Sequence, residues 1–175
     1  TITTTGRDDG HPIIEINGFV NDYATTQGRS SRSSAVIVDC FDSVIKLSSF
    51  KRVVIDNCVD CTIFISGITI GGVEIYNSKF LEIELKDCLC VIMERSLGIR
   101  IKNEQESDKF RLMRYDCRNT QVKDQNNNMI TLPDAQKMQH SILSLSQIQK
   151  NKHCEPFKLN LLSNTKHDMS IVTIK

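Results

Sequence analysis

From Ala35 onward, apolar side chains recur at every second position in short runs, and small or polar residues separate the runs at nearly constant spacing. With Cys40, Cys58, Ser78 and Ser96 as markers, the intervals are 18, 20 and 18 residues. Three places before each marker stand Ile37, Ile55, Ile75 and Met93, and two places earlier Ala35, Val53, Val73 and Val91. Five places after each marker stand Ile45, Ile63, Ile83 and Ile101, the first three paired at i+2 with Leu47, Ile65 and Leu85. An i, i+2 apolar pair points one way along a half-buried strand, so two strand families alternate along the chain. A third short family is expected at residues 68–70 and 88–90. Helical spacing at three and four is missing.

A period of about 18–20 residues, with small corners such as Asn57-Cys58 and Asn77-Ser78, suits one coil of a β-helix. Successive coils would stack about 4.8 Å apart and hydrogen-bond to one another. The expected fold is therefore all-β, a right-handed parallel β-helix; an antiparallel sandwich, which also has short strands at regular spacing, is the weaker alternative because it seldom holds one column in register through four repeats. A fifth repeat over 110–124 is looser. Met113 follows Met93 by 20 residues, but Arg111 stands where an apolar residue stood before.

Residues 1–34 are rich in Thr, Ser, Gly and Asp, with one strand expected at 13–16, and read as a partly flexible arm outside the core. The β-helix is assigned to 35–156. Within it, an Asn-rich turn at 126–128 and a strand at 129–132 precede renewed alternation at 142–146. Residues 157–161 and 170–175 alternate again across a polar stretch and read as a C-terminal hairpin, 157–175.

The 22 basic and 21 acidic residues leave a net charge of +1, which gives no argument for nucleic acid or an anionic membrane as partner. No apolar run approaches the length that spans a bilayer, and no secretory leader pattern opens the chain, although Thr1 in place of Met leaves room for an upstream segment. The chain reads as cytoplasmic, and its seven Cys as reduced thiols. Cys58-x-x-Cys61 with Cys88-x-Cys90 invites a zinc site, but stacked interior thiols explain the repeat positions more simply, and no metal is expected. His11, His140, His153 and His167 lie outside the repeats and have no nucleophile and carboxylate at an interpretable spacing. Gly71-Gly72 lacks the Lys-Ser/Thr of a phosphate loop and suits a turn. These residues imply no cofactor and no catalytic centre.

Outward positions carry Val54, Glu74 and Ile92 on one column, Asp56, Tyr76 and Glu94 on the next, and Lys46, Phe64, Glu84 and Arg100 on another face. A solvated sheet shows many such residues, yet aromatics beside charges also suit a binding surface, where aromatics and Arg concentrate binding energy.

Val54-Ile55-Asp56-Asn57-Cys58 followed by Gly72-Val73-Glu74-Ile75-Tyr76-Asn77-Ser78-Lys79 resembles the repeat core of the C-terminal domain of cyclase-associated proteins. Glu155-Pro156-Phe157-Lys158 and Ile171-Val172-Thr173-Ile174 are similar to that family's closing elements, so the likeness covers roughly residues 35–175. It implies a parallel β-helix whose last hairpin crosses to a second subunit. It further implies a homodimer in the actin cytoskeleton that binds monomeric actin in its ADP form and acts by sequestration or nucleotide exchange, without catalysis. The family's name adds an adenylate cyclase as a further partner. Residue-matched candidates for the actin-facing surface are Asn57, Glu74, Asn77 and Lys79, joined through neighbourhood by Lys86, Glu94, Arg95, Ile174 and Lys175. For dimerisation the candidates are Phe157, Leu159, Leu161, Ile171, Val172 and Ile174, which would cover the open edge of the last coil. The chain departs from the family in lacking Trp and the helical and Pro-rich regions of longer relatives.

The alternative is a GTPase-activating domain resembling tubulin-folding cofactor C. Cys58-x-x-Cys61, and Phe110-Arg111 before Asp116-Cys117, carry that likeness, with Arg111 or Arg95 as the stimulating arginine.

Overall fold

The structure is a computed structural model of the full chain, described here for residues 1–5, 12–28, 32–67, 71–104, 110–123, 128–135, 140–144 and 169–171. The described residues form strands and corners only, and the strands fall into two sheets. Sheet 1 stacks β2 (Ile13–Asn17), β4 (Ser34–Val38), β6 (Arg52–Asp56), β8 (Val73–Tyr76), β10 (Cys90–Glu94) and β12 (Arg111–Tyr115). Sheet 2 stacks β3 (Tyr23–Gln27), β5 (Val44–Ser48), β7 (Thr62–Ser66), β9 (Glu82–Lys86), β11 (Arg100–Asn103) and β13 (Gln121–Lys123). Every neighbouring pair within these two stacks is parallel, and the chain alternates between sheets, which is the winding of a parallel β-helix rather than an antiparallel sandwich.

The stack inside sheet 1 is in register: Ile16, Ile37, Ile55, Ile75 and Met93 are mutual partners in successive coils, and all are fully buried. Ala24, Ile45, Ile63, Ile83, Ile101 and Val122 form the corresponding column of sheet 2. Burying each Ile removes enough apolar surface to contribute about 1.5–3 kcal/mol against chain entropy, so these columns hold the solenoid together.

The marker residues line one corner. Cys40, Cys58, Ser78, Ser96 and Cys117 are buried, and each donates to the carbonyl two residues earlier: Val38 O at 3.3 Å, Asp56 O at 3.3 Å, Tyr76 O at 2.7 Å, Glu94 O at 2.9 Å and Tyr115 O at 3.2 Å. A small side chain with one donor meets that need, which is why Cys and Ser exchange there. The residue before each marker turns the chain in the left-handed region: Asp39, Asn57, Asn77, Arg95 and Asp116, with φ of 54°, 51°, 49°, 49° and 49°. Short Asn and Asp tolerate that conformation best.

The structure corrects the sequence-based expectations at several points. The arm expected over 1–34 contains a coil of the helix: β2 and β3 pair with β4 and β5, and Ile14, Ile16 and Ala24 are buried. Ala24 stands where the next four coils carry Ile, so the apolar signal is faint there. An added strand, β1 (Ile2–Thr5), runs antiparallel on β2 and covers that edge. In the looser repeat, Arg114 and not Met113 lies beneath Met93; Met113 faces outward beside Ile92. The third strand family is not formed at 88–90, where Cys90 opens β10 and Cys88 and Leu89 lie between strands; residues 68–70 are outside the described residues. On the outer face of sheet 2, Lys102 rather than Arg100 continues the column of Lys46, Phe64 and Glu84, because Arg100 is level with Glu82.

At the other end β14 (Met129–Thr131) is antiparallel on β13, and β15 (His140–Ser144) is antiparallel on β12. The final strand, β16 (Met169–Ile171), pairs in parallel with β15 of the same chain. The other half of the expected hairpin, 157–161, lies outside the described residues, as do the dimerisation candidates Phe157, Leu159, Leu161, Val172 and Ile174.

Candidate binding surface

The two outer faces differ in kind. Sheet 2 carries polar side chains that satisfy one another: Lys102 is ion-paired with Glu82 and, at 3.0 Å, with Glu84. The Lys46 ammonium lies 5.5 Å from the Tyr23 ring centroid and 5.4 Å from that of Phe64, so the aromatic at 64 is covered by a cation of its own sheet. Sheet 1 presents half-buried Val36, Val54, Ile92 and Met113 in one column, with Glu74 among them, and Val38, Asp56, Tyr76, Glu94 and Tyr115 in the next. Apolar and aromatic groups beside fixed charges, on a flat rigid sheet, are what a binding surface of low ordering cost requires.

Its charges are organised across coils. Arg52 forks onto Glu74, Nε to Oε1 at 2.7 Å and Nη2 to Oε2 at 2.6 Å, and Tyr76 donates its hydroxyl to Glu74 Oε2 at 2.9 Å. Gly71, where an added Cβ would come within 3.0 Å of the Arg52 Cβ, leaves the Arg52 side chain room. The Arg52 bond holds the Glu74 carboxyl below its ordinary range, against the upward pull of burial. Burial first, and then the Glu74 carboxylate, raises the Tyr76 phenol. At the adjoining corner Asn57 Nδ2 donates to Asp39 Oδ1 at 2.6 Å, Asn77 Nδ2 to Asp56 Oδ1 at 2.8 Å, and Arg95 Nε to Asn77 Oδ1 at 2.9 Å. Arg95 also meets Glu94 at 3.1 Å.

Of the residues expected to face actin, Asn57, Glu74, Asn77, Glu94 and Arg95 thus fall on one face and its corner. Lys79 lies two residues further, on the bridge ladder that links Val59, Lys79 and Leu97. Lys86 ends β9 on sheet 2, away from that cluster, and Ile174 and Lys175 lie outside the described residues. Sequence reasoning missed Arg52, Asp39 and Met113 as members of this surface. The signal for the first two was present, since Asp39 precedes a marker as Asn57 does and Arg52 lies just outside the Val53-Ile55 pair.

The cysteines of the described residues are free, and among those residues no His, Cys, Asp and Glu cluster has metal-holding geometry. Burial raises the thiol of Cys61 and pushes Cys88 up to about 11, while the hydrogen bond to Cys40, together with burial, holds Cys58 protonated. Arg111, proposed for GTPase stimulation, is exposed at the start of β12 beside Cys90 and level with Ser144. Among the described residues no helix is long and apolar enough to cross a membrane.

No family profile matches the sequence, and no curated protein sequence matches it. Among solved structures, the fold is similar to the crystal structure of cyclase-associated protein from Cryptosporidium parvum, with a TM-score of 0.61 at 16% identity, over 77% of this chain and 88% of that one. At that identity the likeness establishes the architecture: this chain has the β-solenoid fold of a cyclase-associated protein structure.

Proposed function

We propose that this chain is a non-enzymatic module that binds monomeric actin in its ADP form through the outer face of sheet 1, and regulates actin turnover by sequestration or nucleotide exchange. The observation that carries the reading is the Arg52–Glu74–Tyr76 network set among Val54, Ile92 and Met113: charges held in fixed geometry beside half-buried apolar groups. The fold shared with a cyclase-associated protein and the sequence likeness at 53–79 support it. In this reading residues 157–175 join two copies, the module works in the cytoplasm on the actin cytoskeleton, and an adenylate cyclase is a further partner.

The test is direct. Purified chain is titrated into ADP-actin monomers carrying a fluorescent nucleotide, with association and nucleotide release both followed. Saturable association is expected, weakened about tenfold or more by Glu74→Arg, which sets like charges against Arg52. Absence of association with either ADP- or ATP-actin overturns the proposal. A parallel measurement of GTP turnover on added small GTPases and tubulin gives the cofactor-C-like reading its chance, through a stimulation lost in Arg111→Ala.

A further inference from the structure

The buried corner column carries two thiols in succession at one place. Cys40 and Cys58 occupy it in neighbouring coils, and the next members are Ser78, Ser96 and Cys117, so among the described residues no other adjoining coils both place a thiol there. The backbone holds the pair level: Phe41 and Val59 pair in parallel, and Val59 N donates to Cys40 O at 3.0 Å. Stacked residues of adjoining coils lie about 4.8 Å apart, inside the roughly 4.4–6.8 Å between α-carbons that a disulfide bridges. Both side chains turn the same way, Cys40 Sγ lying 3.8 Å from Ile16 O and Cys58 Sγ 3.8 Å from Ile37 O.

The two thiols differ in character. The hydrogen bond from Cys58 lowers Cys40 to about 7 against the opposing pull of burial, helped by the backbone N–H groups of Phe19 and Gly18. The same bond, with burial, holds Cys58 protonated. One sulfur thus ionises near neutral pH while its neighbour keeps a proton to give. Cys61 lies alongside, but its thiol donates to the carbonyls of Cys40 and Val59, at 3.4 and 3.3 Å, and burial raises it. On the side of the first coil Cys40 is covered by Phe19, itself only partly buried, and beside Phe19 the exposed Gly18 leaves open space where a side chain would stand. A bulky thiol reagent is shut out by that cover, whereas hydrogen peroxide is little larger than water.

We propose that Cys40 and Cys58 form a peroxide-sensitive pair that closes to an intrachain disulfide between neighbouring coils. The Cys40 thiolate attacks one oxygen of a hydroperoxide and the O–O bond breaks, leaving a sulfenic acid on Cys40. The other oxygen departs as hydroxide and recovers the proton that Cys40 had released. Cys58 sulfur then attacks the sulfenic sulfur, and its proton leaves with the hydroxyl as water as the S–S bond forms. Two thiols are oxidised to one disulfide, and one peroxide is reduced. The bridge lies beside the hydrogen bond from Asn57 to Asp39, since each of those residues immediately precedes one of the thiols. The chemistry involves no actin, so it stands or falls apart from the function proposed above.

The experiment treats the purified, folded full chain with hydrogen peroxide at neutral pH, blocks the remaining thiols during unfolding in acid, and maps the peptides by mass spectrometry. A linked pair of peptides joining Cys40 to Cys58, lighter by two hydrogens, is expected. Ser already occupies this column at 78 and 96, and Ser43 stands where Cys61 does one coil later, so serine fits all three sites. Cys58→Ser should stop at a Cys40 sulfenic acid that a cyclic 1,3-dione traps, Cys40→Ser should leave Cys58 unoxidised, and Cys61→Ser should form the bridge as wild type does. Recovery of Cys40 and Cys58 as free thiols after exposure that oxidises Cys90 overturns the proposal. So does a bridge that disappears in Cys61→Ser, or a sulfenic acid found on Cys58 in Cys40→Ser.

Discussion

Arg114 lies directly beneath Met93 in the interior column of sheet 1, 3% exposed, with its Nη1 donating to Pro133 O at 2.8 Å. A column of Ile and Met therefore ends in a cation that turns the last coil toward the backbone of the segment following β14. Its aliphatic stem continues the apolar stack and its guanidinium satisfies a carbonyl beyond it.

That arrangement separates two substitutions. Arg114→Ala removes stem and donor together and is expected to cost about 2–4 kcal/mol. Arg114→Met keeps the stem's volume, continues the Met93 column and removes the need to bury a charge, so its cost should be less than half of that. Urea unfolding of the two variants measures the difference; equal losses would show that the charge, not the packing, closes the solenoid.

The same residue shows where sequence patterning reached its limit. Ile37, Ile55, Ile75 and Met93 were legible as a column because each is bulky and sits 18 or 20 residues from the next. Arg114 follows Met93 by 21, and its charge disguises an inward position. The first coil was hidden for a similar reason: Ala24 and Thr26 stand where Ile45 and Leu47 stand in the second. The Arg52–Glu74 fork escaped because it joins residues 22 apart, on a diagonal that bypasses Gly72, while a repeat search compares only residues at the same level. The corner Asn residues were visible, since left-handed corners select them in every coil, but their hydrogen bonds to Asp39 and Asp56 depend on which coil lies above.

The Arg52–Glu74 pair gives stability a pH dependence of known sign. The Glu74 carboxyl is lowered in the folded chain, chiefly by the Arg52 bond, so its contribution is present above the ordinary carboxylate pKa and is lost as pH falls through the folded value. Arg52 is half exposed, which limits the contribution to about 0.5–1 kcal/mol after screening. Glu74→Gln should be less stable than wild type by that amount at pH 7, and the gap should close in acid below the carboxylate range. Thermal unfolding at paired pH values tests this, and a gap that persists at low pH would assign the loss to packing against Tyr76.

Thiol chemistry should follow burial. Cys40, Cys58, Cys61, Cys88 and Cys117 are buried, and Cys90 is half-buried. Desolvation raises the thiols of Cys61, Cys90 and Cys117, and holds Cys88 near 11. The exception is Cys40, whose thiol the hydrogen bond from Cys58 lowers to about 7, so only its complete burial protects it. In a Cys154→Ser chain at pH 8, a thiol reagent is expected to label Cys90 slowly and the other five only on unfolding. Mass spectrometry of the labelled peptides reads this out; rapid labelling of Cys58 or Cys61 in the folded chain would mean that the corner opens locally.

Phe80 offers a substitution with two opposite consequences. Its φ of 54° costs a bulky side chain about 1–2 kcal/mol, a strain that Asn, the residue at positions 21 and 119, largely avoids. Against that gain, Asn gives up the packing of a ring that is 52% exposed and lies close over Gly98, where an added Cβ would come within 2.7 Å of it. The strain is the larger of the two because half of the ring already faces water. Phe80→Asn should therefore stabilise the dilute chain by about 0.5–1 kcal/mol, a rise of roughly 1–4 °C in the unfolding midpoint. Calorimetry of the two chains side by side tests the sign. A Phe80→Asn chain no more stable than wild type would show that the packing of the ring over Gly98 outweighs the strain of its backbone.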